Sequence, residues 1–161
     1  MKLVDFSIRK SKDDVISYVS DNKKVNDGVR FDDSKGRPFM RVKENSGKVR
    51  ITCEMIGGPT KDNEFLVGTF FKGKIVEKDG ITRLKGIILT SPIYHVIWFV
   101  LMAVMIWQCI EHVAISALPI LFVAFEIMMF SKEFKKQGYI KSYLGRAFYR
   151  MEKENNRTRR E

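Results

Sequence analysis

The sequence predicts an α+β fold: a small antiparallel β module with one N-terminal helix, then a two-helix transmembrane hairpin and a C-terminal amphipathic helix. Three observations carry this prediction. Lys48 to Met55 alternates strictly, with Val49, Ile51, Cys53 and Met55 on one face and Lys48, Arg50, Thr52 and Glu54 on the other, as a half-buried antiparallel strand does. Two apolar runs, PIYHVIWFVLMAVMIWQCI from Pro92 and VAISALPILFVAFEIMMF ending at Phe130, contain no Lys or Arg and approach the ~20 residues that cross a hydrocarbon core. Gln137 to Met151 then sets Tyr139 or Ile140, Tyr143, Leu144, Ala147, Phe148 and Met151 on one helical stripe.

The elements follow in order. Leu3, Val4, Phe6 and Ile8 mark a first strand, and Ser11 opens a Ser-x-x-Asp helix start whose apolar positions are Val15, Ile16 and Val19, with an end near Asn22. Phe39 to Lys43 is a short strand, Asn45 to Lys48 a turn, and Gly57 to Asn63 a loop. Phe65 to Val76 and Ile81 to Leu89 flank Asp79 and Gly80, a strong hairpin signal. The boundaries are a cytosolic β-rich domain over 1–90, the hairpin over 91–131, a basic juxtamembrane helix over 132–151 and a charged, non-periodic, disordered tail over 152–161. Periodicity leaves open whether the sheet is flat or curls into a half-barrel.

The ends of the hairpin carry the residues that favour a bilayer interface. Tyr94 and Trp98 lie near one end of the first run and Trp107 near the other, where amphipathic rings sit at headgroup level, and Ser91 and Pro92 suit a helix start. Pro119 can kink the second run. The turn holds Glu111 and His112 but no basic residue, while Arg83 and Lys85 precede the hairpin and Lys132, Lys135 and Lys136 follow it. The positive-inside rule therefore puts both termini in the cytoplasm of a multi-pass protein of the plasma or bacterial inner membrane. KLVDFSI is too short and polar for the apolar region of a signal peptide.

The net charge of +10 divides as 19 basic and 13 acidic residues over 1–91, none and 2 in the hairpin, and 10 and 4 in the tail, or +6, −2 and +6. Beside membrane spans, this excess suggests anionic headgroups, with Lys132, Lys135, Lys136, Lys141, Arg146 and Arg150 as the contacts. The stripe over 137–151 suits an interfacial helix or one packed on the β domain. Nucleic acid is not an expected partner, because anionic lipid is the simpler cause of a basic excess beside membrane spans; single-strand binding by the β domain would call for aromatics interleaved with basic residues on a sheet face. The run GTFFKGKIVEKDGITRLKGIILTSPIYHVIW, with Gly73 and Gly86 around the turn and Pro92 opening a span, resembles small bacterial membrane proteins of unassigned activity. Their cytosolic β module directly precedes a two-helix hairpin; the resemblance implies architecture and transfers no functional residue.

Catalytic signatures are absent. His95 and His112 fall near opposite membrane faces, Cys53 and Cys109 likewise, Gly57 to Asp62 lacks the end of a phosphate loop, and Asp32 and Asp33 read as solvated loop acids. No cofactor or metal is expected, nor an enzyme. Within the spans, His95 and Glu126 reach similar depth in antiparallel helices and are expected to pair, since ionisable groups in hydrocarbon face protein or water. The function expected is a membrane protein whose β module docks a protein partner, which includes a second copy of the chain, or senses the membrane surface. The alternatives are a module for a lipid or small apolar ligand, in a half-barrel with a helix across its mouth, and an accessory transporter subunit.

Overall fold

Strands β1 (Lys2–Ile8), β2 (Arg37–Asn45), β3 (Lys48–Ile56), β4 (Thr69–Lys78) and β5 (Ile81–Thr90) form one antiparallel sheet of order β1-β5-β4-β3-β2. Helices α1 (Lys12–Ser20) and α2 (Asn22–Asn26) follow β1, and α3 (Pro92–His112) and α4 (Ala117–Thr158) follow β5. The computed structural model describes residues 2–31, 37–56, 68–90, 92–112 and 117–158; several side chains on α3 and α4 lie outside that description. The loop expected over 57–63, the start of the strand expected from Phe65, and Asp32 and Asp33 also lie outside it.

Both tight turns follow from residues that accept the left-handed conformation. Ser46 and Gly47 have φ of 51° and 79°, and Asp79 and Gly80 have 54° and 71°, so each pair makes a two-residue turn whose twist matches its strands. The sheet does not close on itself, and β1 and β2 are its edges. At the β2 edge, Met40 N–H donates to Asn22 Oδ1 and Asn22 Nδ2 donates to the Met40 carbonyl, both at 2.8 Å. This side chain takes two of the outward backbone groups that an added strand would use. Asn22→Ala is expected to cost ~1–3 kcal/mol by leaving both without their partner, read as a lower melting temperature of the full chain in detergent.

The N-terminal region differs from expectation by holding two helices. The Ser11 hydroxyl accepts from Asp14 N–H to start α1, as its motif implied. Asp21 then closes α1, and its Oδ1 accepts from Lys23 and Lys24 N–H at 3.0 and 3.1 Å, which restarts the chain as α2.

The larger differences concern α4. It runs unbroken through 42 residues, about 63 Å at the usual rise, where a hairpin limb, a separate basic helix and a disordered tail were expected. Nothing between Phe130 and Gln137 breaks a helix, since that stretch has no Pro or Gly. The segment expected to be disordered is helical through Thr158 because its side chains find partners. Glu154 accepts from the Tyr18 hydroxyl at 3.3 Å and pairs with Lys10 at 3.5 Å, and Asn155 Nδ2 donates to the Arg9 carbonyl. Between the alternatives for 137–151, Ile140, Tyr143, Leu144, Ala147 and Met151 are fully buried in the core rather than on a lipid surface. There they meet Val15, Val19 and Val25 of the short helices and Ile51, Phe71, Leu84 and Ile88 of the sheet. The rings of Phe6 and Phe148 stack 4.8 Å apart, and the buried Tyr143 hydroxyl donates to the Val19 carbonyl at 2.7 Å.

Among the described residues no helix is long and apolar enough to cross a membrane. The α3–α4 pair is an element of the fold, and its described residues give no support to the transmembrane character expected of it.

Candidate interaction face and the hairpin junction

With α1, α2 and α4 packed on one face of the sheet, the other is left open among the described residues. Its composition follows from strand alternation and register. One cross-strand row is Lys43, Arg50, Lys72, Ile87 and Leu3; the next is Asn45, Lys48, Lys74, Lys85 and Asp5. Towards the hairpin come Arg41, Thr52, Phe70 and Leu89, then Phe39 and Glu54; away from it come Val76, Arg83 and Ser7. These rows hold eight basic and two acidic side chains, a net of +6, and all eight basic ones are exposed.

The two acids are already engaged. Asp5 accepts from Arg83 Nε and Nη2 at 2.8 and 2.6 Å, and Glu54 pairs with Arg41 at 3.0 Å. The Arg83 hydrogen bonds hold the Asp5 carboxyl below its usual range. Among the described residues, Lys43, Lys48, Arg50, Lys72, Lys74 and Lys85 have no acidic partner within ion-pair distance. The Arg50 guanidinium lies over the Phe70 ring, 4.4 Å from its centroid. Two shallow depressions of about 270 and 290 Å³ mark the face, lined mostly by charged side chains.

A second constellation sits where the hairpin meets the sheet. Glu133 and Lys136, both almost fully buried, pair at 3.0 Å, and Glu133 Oε2 makes no hydrogen bond. That oxygen lies against Gly68: a Cβ added there would come within 2.6 Å of it. The Thr69 hydroxyl donates to the Glu133 carbonyl at 3.3 Å, and Gln137 Nε2 donates to the Thr90 hydroxyl at 3.1 Å. These bonds tie α4 to the start of β4 and the end of β5, and so fix the direction in which the hairpin leaves the domain.

The residues predicted as headgroup contacts are redistributed. Arg150 donates to the Lys24 carbonyl at 2.9 Å and to that of Asp27, so its guanidinium caps the C-terminal end of α2. Arg146 donates to Asn26 Oδ1 at 3.0 Å, and burial lowers its pKa from the usual arginine value. With Lys136 paired to Glu133, these three side chains have partners inside the domain, which the packing of α4 on the sheet supplies. Lys135 and Lys141 are exposed, and the Lys132 side chain lies outside the described residues. Trp98 is half-buried with its ring edge-on to Phe99, Trp107 is exposed, and the Tyr94 side chain is not among those described.

His95 and Glu126 lie on α3 and α4, but their side chains, like that of Cys109, fall outside the described residues, so their pairing stays an expectation. Cys53 is buried. Among the described residues no His, Cys, Asp and Glu group has a metal-binding arrangement. Between the sheet and α4, the place expected for an apolar ligand, the space is filled by the buried side chains of the core.

Sequence reasoning found the alternation of β3 but not the face it belongs to, because the register that sets Arg50 beside Lys72 and Lys48 beside Lys74 is a tertiary property. The available signal was the repeated basic residue at every second position of Arg41–Lys43, Lys48–Arg50, Lys72–Lys74 and Arg83–Lys85. Comparison with protein-family models, with curated proteins and with solved structures finds no match to this chain.

Proposed function

We propose that this chain is a membrane-held, non-enzymatic docking module: the α3–α4 hairpin anchors it, and the open sheet face takes up an anionic partner on the cytoplasmic side. The observation that carries the reading is the +6 face, on which six cations form no ion pair among the described residues.

The anchor rests on the whole sequence of the hairpin. Helix α3 has 21 residues, about the length that spans a hydrocarbon core, with no Lys or Arg and Glu111 as its only acid. Most of its described side chains are exposed, Phe99 at 66% and Ile110 at 72% among them. A contiguous apolar surface of this kind marks contact with lipid or protein. The apolar part of α4, 117–130, is shorter, and local thinning of the bilayer accommodates the mismatch. Only Ser91 separates β5 from α3, which leaves the domain no linker on which to swing away.

The test is retention on immobilised heparin of the full chain in neutral-lipid nanodiscs. The double variant Lys72→Glu, Lys74→Glu is expected to elute at markedly lower salt, while the tail variant Lys153→Glu, Arg157→Glu elutes nearly as the parent does. An equal drop for both variants contradicts a role for the face.

A further inference from the structure

We infer that the partner of the open face is a single-stranded nucleic acid, a conclusion that rests on the docking reading above. The condition for this partner is aromatic groups among basic residues on an exposed sheet face, which the structure meets. Lys43, Arg50 and Lys72 form one row across three strands, Lys48, Lys74 and Lys85 the next, and Phe70 lies beside them under the Arg50 guanidinium. Two rows of cations suit a backbone charged at every residue, and a guanidinium stacked on a ring offers the planar surface on which unpaired bases lie.

Other occupants fit less well. A second copy would set one +6 face against another. A peptide joining a sheet most often pairs with an edge strand, and at β2 Asn22 holds both backbone groups of Met40; the depressions on the face are shallow and walled largely by the stems of lysine and arginine side chains. The bilayer is disfavoured by direction. The continuous α4 forms the hairpin with its first half and covers the core face of the sheet with its second. With α4 crossing the membrane, the open face looks sideways rather than into the lipid. Along β5, Lys85 precedes Thr90 by five residues, about 17 Å at the strand rise, and the row of Lys72 lies opposite Ile87, three residues before it, about 10 Å; these are about two and about one Debye lengths at physiological salt.

The experiment measures binding of fluorescein-labelled oligo-dT of twenty nucleotides, and of polyglutamate of equal charge, to the full chain in phosphatidylcholine nanodiscs. The oligonucleotide is expected to bind at least tenfold more tightly than polyglutamate. With about six phosphates neutralised, its affinity should fall on the order of 100-fold between 50 and 200 mM salt. Lys72→Glu with Lys74→Glu should abolish binding. Phe70→Ala should weaken it at least fivefold without changing the salt slope, and Phe70→Tyr should restore it. Melting temperatures of the variants within a few degrees of the parent exclude misfolding as the cause; Lys85→Glu, on a fully exposed position, repeats the charge test if they are not. Equal affinity for polyglutamate overturns the nucleic-acid inference and leaves the docking reading standing. Binding of neither polymer overturns both. Loss of oligonucleotide binding when phosphatidylserine enters the nanodisc assigns the face to the bilayer, and also overturns the inference.

Discussion

Replacing Gly86 by alanine is expected to cost ~3 kcal/mol or more and to give a chain that is largely unfolded near body temperature. Gly86 and Gly73 face each other across β4 and β5 on the core side of the sheet, and the Phe71 ring, with no exposed surface, lies over both. A Cβ at Gly86 would stand 2.5 Å from Gly73 Cα and from the Lys72 carbonyl oxygen, distances at which backbone itself must move. Overpacking of a tight core ordinarily costs ~1–3 kcal/mol, and here the obstacle is a strand rather than a side chain that can turn away. The contrast is Gly138 on α4, where a Cβ would meet nothing within 4 Å. Gly138→Ala should leave stability unchanged or raise it by up to ~1 kcal/mol, because glycine is the weaker helix former. Thermal unfolding of the two full-length variants in the same detergent checks the pair; similar melting temperatures would show that the glycine pair is not a packing device.

Leu144→Ala is expected to destabilise the domain by ~2–5 kcal/mol, the range for truncating a fully buried leucine. Tyr149→Ala, on the same helix but 67% exposed, should change it by no more than ~0.5 kcal/mol. The difference separates a helix that completes the core from one that lies on lipid, where both apolar residues would serve alike. It also makes the C-terminal half of α4 part of the β domain, so removing residues after Phe130 should unfold the module rather than trim a tail.

Much of this architecture is legible in the sequence, and its limits are physical. Strand alternation, the Asp79–Gly80 turn and the Ser11 cap are local signals, and each corresponds to an element seen in the fold. The second short helix was not legible, because Asp21 serves as the end of one helix and the start of the next. The helical end of α4 escaped for a different reason: Glu154 and Asn155 are held by Tyr18, Lys10 and the Arg9 carbonyl, contacts more than 130 residues away in the chain. Arg146 and Arg150 read as headgroup contacts because composition shows their charge and not the Asn26 side chain and the Lys24 and Asp27 carbonyls that they reach. The basic face was visible strand by strand, and only register assembles it.

The measurement that tests the membrane-held module most directly is cysteine accessibility in intact cells. Cys53 is a poor reporter of the cytoplasmic side because only 6% of it is exposed, so an unlabelled Cys53 reports burial as readily as topology. Ser7→Cys in a Cys53→Ala background places a reporter on an exposed position of β1, with native Cys109 near the hairpin turn. With a membrane-impermeant thiol reagent, Cys109 is expected to be labelled in intact cells, and the position 7 thiol only after the membrane is opened. Labelling of position 7 in intact cells, or of Cys109 only after lysis, would contradict the account.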